Sequence, residues 1–91
     1  MDETPADILE RVTRDYPGEL GFEVLRLIDR LAFGARVTRS LLFLADGDYE
    51  ALQRYARRAE QDERDVIFWA EYEEFDAPQP RRIRSMDEPF G

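Results

Sequence analysis

A short turn signal, Asp46-Gly47-Asp48, restricts the possible folds of this chain more than any other stretch. Glycine suits the left-handed conformation that ends a helix, and Asp is a favoured N-cap for the helix that follows. The flanking residues do not alternate between apolar and polar, as the strands of a β-hairpin would. The sequence therefore predicts a reversal between two helices at Gly47.

Both flanks of this turn carry apolar stripes with helical spacing, in alternating steps of four and three. The stripe before the turn is Val24, Ile28, Leu31, Ala35, Thr38, Leu42 and Ala45, and the stripe after it is Tyr49, Leu52, Ala56, Ala59, Glu63, Val66 and Ala70. Folding the chain at Gly47 places the two stripes opposite each other, layer by layer. We therefore expect an all-α protein built on a long antiparallel helical hairpin of residues about 19–46 and 48–74.

Two features of these stretches leave alternatives open. Gly34 weakens the first helix by about 1 kcal/mol relative to Ala, so a break there would give two shorter helices. The segment 66–72 is rich in residues that favour strands, and a terminal strand is the alternative. We favour helix in both places, because the stripe keeps its phase through Gly34 and no second strand candidate is present for 66–72 to pair with.

The two ends of the chain differ in character. Thr4-Pro5 is a suitable helix start and Pro17-Gly18 a suitable stop, which predicts a short N-terminal helix at about 5–15. Residues 77–91 are punctuated by proline and have no apolar period, so we expect an extended or disordered tail. Residues 1–76 then form a single helical domain.

The hairpin carries more apolar residues than one partner helix can cover. Those outside the main stripe are Leu25, Leu27, Phe33, Leu41, Phe43 and Leu44. A symmetric homodimer that forms a four-helix bundle would bury them, so we expect self-association.

The charge of the chain limits its partners. The formal net charge is −8, which argues against binding to nucleic acid or to an anionic membrane surface. The apolar stretches are interrupted by charged residues, and the polar start Met1-Asp2-Glu3 lacks the pattern of a signal peptide. We therefore expect a cytoplasmic protein.

Few residues could carry chemistry, because the chain has neither His nor Cys. This removes the usual bases, thiol nucleophiles and zinc ligands, and we expect no catalytic residues and no cofactor. Four carboxylates in two Glu-x-x-Glu pairs offer the weak alternative of a magnesium site: Glu60, Glu63, Glu71 and Glu74. Repeated carboxylates at this spacing occur in all-helical nucleotide pyrophosphohydrolases, but no base-binding set accompanies them here.

Glu63 is a polar residue on the apolar stripe. A buried carboxylate needs a partner, and Arg30 lies near the same layer in the hairpin register. We therefore expect Arg30 and Glu63 to be structural polar residues, either as a pair or with Glu63 at the rim. A role in dimer register and a ligand site are the alternatives.

The open end of the hairpin is the expected interaction surface, because it gathers large apolar side chains typical of protein interfaces. The candidate patch comprises Leu20, Phe22, Phe68, Trp69, Tyr72 and Phe75. The tail adds a basic motif of Arg81, Arg82 and Arg84, which could fold back onto the acidic end of the hairpin or reach a partner.

The sequence therefore predicts a small acidic helical module for protein–protein interaction or regulation, without catalysis. Its expected partners are itself, as a homodimer, and a second protein of unknown identity. The alternatives are the carboxylate- and magnesium-dependent hydrolase and an acidic, antitoxin-like inhibitor or nucleic-acid mimic.

Overall fold

A computed structural model describes residues 4–73 and 81–90 of the chain. Its helices are α1 (Ala6–Asp15), α2 (Glu19–Leu31), α3 (Ala35–Ala45), α4 (Tyr49–Gln61) and α5 (Glu63–Glu71). Two short strands, β1 (Tyr72–Glu73) and β2 (Arg81–Arg82), pair antiparallel, with Tyr72 opposite Arg82. The prediction of an all-α protein with a short N-terminal helix is confirmed.

The single helix expected over residues 19–46 is wrong, and the alternative of a break near Gly34 is confirmed. Ala32 adopts a left-handed conformation with φ 54°, and its N–H donates to Ile28 O to close α2. Gly34 is extended and precedes the first residue of α3. Because three non-helical residues, 32–34, intervene, α2 and α3 are separate helices although the apolar spacing continues through them.

The single helix expected over residues 48–74 is also wrong, because the chain breaks at Asp62. This residue is extended, with φ −158°, and its Oδ1 accepts a hydrogen bond from the Arg64 N–H at 3.0 Å. An Asp side chain competes with helix continuation in this way, by capping the helix that follows. Residues 66–71 are helical, as we favoured, and Tyr72 begins the short strand β1.

The turn between α3 and α4 forms as predicted. Gly47 is left-handed, with φ 86°, and Asp48 Oδ1 accepts a hydrogen bond from the Ala51 N–H at 3.2 Å. Asp46 is left-handed as well, which the spacing did not indicate. A Cβ atom at Gly47 would lie 3.5 Å from Asp15 O, so the end of α1 packs against this turn.

Helix α3 is the centre of the fold, because it packs against α4, α5 and α1. Helix α2 packs mainly on α1, so it does not extend the hairpin alongside α5 as the register implied. The two helices approach so closely that a Cβ atom at Gly21 would lie 2.6 Å from Tyr16 O. The largest fully buried apolar side chains are Ile8, Val12, Tyr16, Val24, Leu41, Leu42, Leu52 and Val66.

The C-terminal strap, residues 81–90, crosses the helices. It begins in β2 beside the end of α5, buries Met86, and reaches α1, where the Phe90 N–H donates to Asp7 Oδ2 at 3.1 Å. The tail that we expected to be extended or disordered is therefore attached to the helices over these residues. Residues 77–80 and Gly91 lie outside the described residues.

Candidate functional site

A buried carboxylate, Glu71, joins the end of α5 to α3 and to the strap. Arg36 donates to it through both arms of its guanidinium, Nε to Oε2 at 2.9 Å and Nη2 to Oε1 at 2.7 Å. Arg82 Nε donates to Oε1 at 3.1 Å, and the Met86 N–H donates to Oε2 at 2.9 Å. The Glu71 side chain is 0% exposed. Both of its oxygens are therefore occupied by donors from the protein.

These donors keep Glu71 ionised although it is buried. The hydrogen bonds from Arg36 lower the pKa of Glu71, which outweighs the rise that burial alone would cause. The Met86 amide and the charges of Arg36 and Arg82 act in the same direction. Unpaired, a carboxylate in this place would carry a large desolvation penalty.

A second buried ion pair, Arg39 with Asp7, joins α3 to α1. Arg39 Nε and Nη2 donate to the two Asp7 oxygens at 2.8 and 3.1 Å. Arg39 Nη1 also donates to the carbonyl oxygens of Met86 and Asp87, at 3.3 and 3.1 Å. Arg39 is only 6% exposed, and its hydrogen bonds lower the pKa of Asp7.

Together the two clusters fasten the strap to the helices. The amino-acid sequence does not predict these clusters, because their members lie far apart along the chain. The available signal was the presence of Arg36 and Arg39 in the apolar helix α3, one turn apart and without a local acidic partner. Planar guanidinium groups are suited to pairing with buried carboxylates in this two-armed geometry.

A buried phenol, Tyr16, lies beneath the turn between α3 and α4. Its hydroxyl has no hydrogen-bond partner among the described residues. Burial raises the pKa of Tyr16 to about 12, and the charges of Asp15 and Asp48 add to the effect. The ring therefore stays neutral at ordinary pH and serves the apolar core.

The expected interaction patch is divided among separate places. Phe68 and Tyr72 stack with ring centroids 4.8 Å apart, while Trp69 meets Tyr55 edge-on at 6.3 Å. Leu20 and Phe22 are exposed on α2, which packs on α1. Phe75 lies outside the described residues. The break between α2 and α3 explains the division, because it removes α2 from the side of α5.

The side chains of Arg30 and Glu63 are both exposed, and no ion pair joins them in the described part of the chain. Glu63 lies in the first turn of α5, where the break at Asp62 turns it away from the stripe. Among residues 4–73 and 81–90 the buried acidic residue is Glu71, and its partner on α3 is Arg36.

The carboxylates proposed for magnesium are also dispersed. Glu60 and Glu63 are exposed, Glu71 is bound by arginines, and Glu74 lies outside the described residues. Within residues 4–73 and 81–90, no three acidic side chains are grouped as a metal ion would require.

The basic motif of the tail folds back onto α5 and α3. Arg82 binds Glu71, and Arg84 Nη1 donates to Ala70 O at 2.6 Å while its guanidinium lies 4.4 Å from the Phe43 ring centroid. The backbone of Arg81 pairs with Glu73 in the short sheet.

Two hollows are open to solvent. One, of about 410 Å³, lies where α1, α2 and α3 meet and is lined by Ile8, Ile28, Asp29, Phe33 and Thr38 among others. The other, of about 550 Å³, is a shallow depression on α5 beside Arg36, Arg64, Ile67, Phe68 and Tyr72.

The outward face of α2 carries charged residues at helical spacing: Glu19, Glu23, Arg26 and Arg30. All four are exposed, and Arg26 Nη1 donates to Glu23 Oε1 at 3.4 Å. At roughly 100° per residue they fall within an arc of about 60°. Phe22, beside this arc, is 65% exposed.

Comparison with protein-family models, with curated proteins and with solved structures found no match for this chain. None of the helices in the described part of the chain is both long and apolar enough to span a membrane.

Proposed function

We propose that the protein is a non-catalytic module for protein–protein interaction or regulation, and that it acts as a homodimer through α2. The observation that carries the proposal is the outward face of α2. There the most exposed large apolar side chain of the described residues, Phe22, borders a charged stripe that is complementary to itself.

The order of charges along the stripe supports an antiparallel pair of α2 helices. Glu19 and Arg30 lie at equal distances from a point between residues 24 and 25, and so do Glu23 and Arg26. In a twofold arrangement, each acidic residue of one copy would face a basic residue of the other. Such an interface uses the same surface on both subunits, as twofold dimers do. Complementary charges of this kind select the partner and its orientation.

The apolar contribution would come from Phe22 and the half-buried Leu25, which is three residues further along the same side of the helix. Helix α2 has room for a partner because its other neighbour in the fold is chiefly α1. Large aromatic side chains at the centre of an interface commonly supply most of the binding energy.

Two charge-reversal variants test the proposal. Glu19→Arg with Glu23→Arg makes the stripe wholly basic, and Arg26→Glu with Arg30→Glu makes it wholly acidic. We expect wild-type protein to sediment as a dimer, each variant alone as a monomer, and an equimolar mixture of the two as a heterodimer.

A matched control reverses two exposed charges away from α2, with Glu60→Arg and Arg57→Glu on α4. This variant should sediment as the wild type does. The interface would be excluded if the wild-type protein stays monomeric at roughly 100 µM, a concentration at which weak, transient complexes form. It would also be excluded if the mixture of the two variants stays monomeric.

A further inference from the structure

The cleft between α1, α2 and α3 has the form of a small-molecule site. Its volume is about 410 Å³, within the roughly 300–1,000 Å³ of known ligand pockets. Ile8 from α1, Ile28 from α2 and Phe33 from the connection to α3 give it apolar walls. Its lining residues include no member of the two ion clusters that hold the strap.

The N-terminus of α3 opens into this cleft through Gly34 and Ala35. The first hydrogen bond of this helix is donated by the Thr38 N–H to Gly34 O, at 3.0 Å. The N–H groups of residues 35–37 therefore have no partner within the helix. No side chain caps them, and the first turn contains no acidic residue. They form a partly positive pole that faces the cleft.

A hydroxyl without a partner in the described residues lies in the same place. Thr38 lines the cleft and is only 4% exposed, yet its hydroxyl makes no hydrogen bond to any residue in 4–73 or 81–90. Ser40, the next hydroxyl of the helix, donates to Arg36 O at 2.8 Å. Among the described residues, the fully buried side-chain atoms without a partner do not include the Thr38 hydroxyl, so it is open to the cleft. There it can bond to water or to a polar group of a ligand.

An exposed carboxylate lies at the edge of the cleft. Asp29 is the one charged residue among those described around it, and its carboxylate forms no ion pair with the described residues. A ligand that contacts both α3 and Asp29 therefore needs an acceptor group for the first and a cationic group for the second. Either group alone would leave one side of the cleft without its partner.

We propose that this cleft binds a free α-amino acid with an apolar side chain. The ligand carboxylate accepts from the first N–H groups of α3 and from the Thr38 hydroxyl. The ligand ammonium group pairs with Asp29, and the apolar side chain lies against Ile8, Ile28 and Phe33. Asp29 lies on the same side of α2 as Phe22, seven residues further along, so the site adjoins the face that the proposed dimer uses. A bound metabolite would therefore lie beside that interface.

Isothermal titration of the full chain tests this assignment. L-leucine and L-phenylalanine should bind, and the analogues that lack one charged group, 3-methylbutylamine and 4-methylpentanoate, should bind at least about tenfold more weakly. The monomeric variant with Glu19→Arg and Glu23→Arg keeps every residue of the cleft and should still bind both amino acids, so a failed dimer and a failed ligand site are distinguishable.

Variants of the cleft complete the test. Asp29→Asn and Thr38→Val should each weaken binding by about tenfold, whereas Thr38→Ser and the remote control Glu60→Gln should not. Circular dichroism checks that each variant is folded. The assignment is overturned if neither amino acid binds at about 10 mM, which is the upper limit for a useful site. It is also overturned if the analogues bind as tightly as the amino acids, or if folded Asp29→Asn and Thr38→Val proteins keep the wild-type affinity.

Discussion

At the scale of single residues, Glu71 shows how a charge can be kept inside a small helical protein. Its side chain has no exposed surface, and its oxygens accept from two arginines and one backbone amide. A buried pair is not always more stable than an apolar substitute, but removing one partner from such a pair is costly. Replacement of Glu71 should therefore lower the stability of the whole fold.

Replacing Glu71 by Gln should lower the free energy of unfolding by about 2 kcal/mol, because both arginines lose their counter-charge and an amide cannot accept all of their hydrogen bonds. Arg36 and Arg82 are partly exposed, which limits the loss. Urea unfolding followed by circular dichroism measures it. Glu63→Gln, on the exposed start of the same helix, is the matched control and should leave the midpoint unchanged. Equal midpoints for the two variants would contradict a structural role for Glu71.

The same carboxylate should make stability depend on acid. The pKa values of Glu71 and Asp7 are lowered in the folded protein, so the unfolded chain takes up protons first as the pH falls. Stabilisation by these groups is complete above their unfolded pKa values, about 4.3 and 3.9, and is lost as the pH falls through the folded values.

Unfolding midpoints measured between pH 7 and pH 2 should therefore fall below about pH 4. The Glu71→Gln protein should show a shallower fall over the same range. A wild-type profile parallel to that of the variant would show that Glu71 does not contribute.

At the scale of helices, structure that depends on neighbouring residues could be predicted from the sequence, whereas structure that depends on distant residues could not. Gly47 and Asp48 act through their own backbone, so the turn between α3 and α4 could be predicted from their identity. The break at Asp62 could not be predicted, because an Asp on the exposed side of a helix has the same spacing whether it continues that helix or caps a new one. The pairing of Glu71 with Arg36, which is 35 residues away, has no local period at all.

The break between α2 and α3 depends on a strained alanine. Ala32 is left-handed and exposed, a conformation that costs a non-glycine residue roughly 1–2 kcal/mol. Ala32→Gly should therefore raise the free energy of unfolding by about 1 kcal/mol. The gain is limited because glycine also increases the conformational entropy of the unfolded chain. Thermal and urea unfolding measure the change.

Gly21→Ala provides the opposite case. Its new Cβ would collide with Tyr16 O, so this variant should be clearly less stable than the wild type.

If Ala32→Gly instead lowers the stability, Ala32 does not adopt the left-handed conformation that separates α2 from α3.

At the scale of the whole molecule, the strap completes the fold. It buries Met86, supplies two of the donors to Glu71, and gives Arg39 two carbonyl acceptors. Phe90 packs against the core and lies 4.8 Å from the Arg11 guanidinium. These contacts connect α5, α3 and α1, in addition to the ion pairs that Arg36 forms with Glu71 and Arg39 forms with Asp7.

Removal of residues 81–91 should lower the free energy of unfolding by about 3 kcal/mol or more, because it uncovers apolar surface and leaves buried charges with fewer partners. Urea unfolding of the truncated and full chains measures the difference. Glu88→Gln, an exposed substitution within the strap, is the control and should behave as the wild type. A truncated protein of unchanged stability would show that the strap is an accessory.

The hydrogen bond from Phe90 to Asp7 spans 83 positions of the chain, and this separation affects the order in which contacts form during folding. Closing a loop has an entropic cost that grows by about 0.6 kcal/mol for each doubling of its length. Contacts within α1–α2 or across the turn at Gly47 can therefore form early, whereas this one must wait until α1 and α3 are already together. The strap should be the last part of the protein to dock in folding and the first to detach in unfolding.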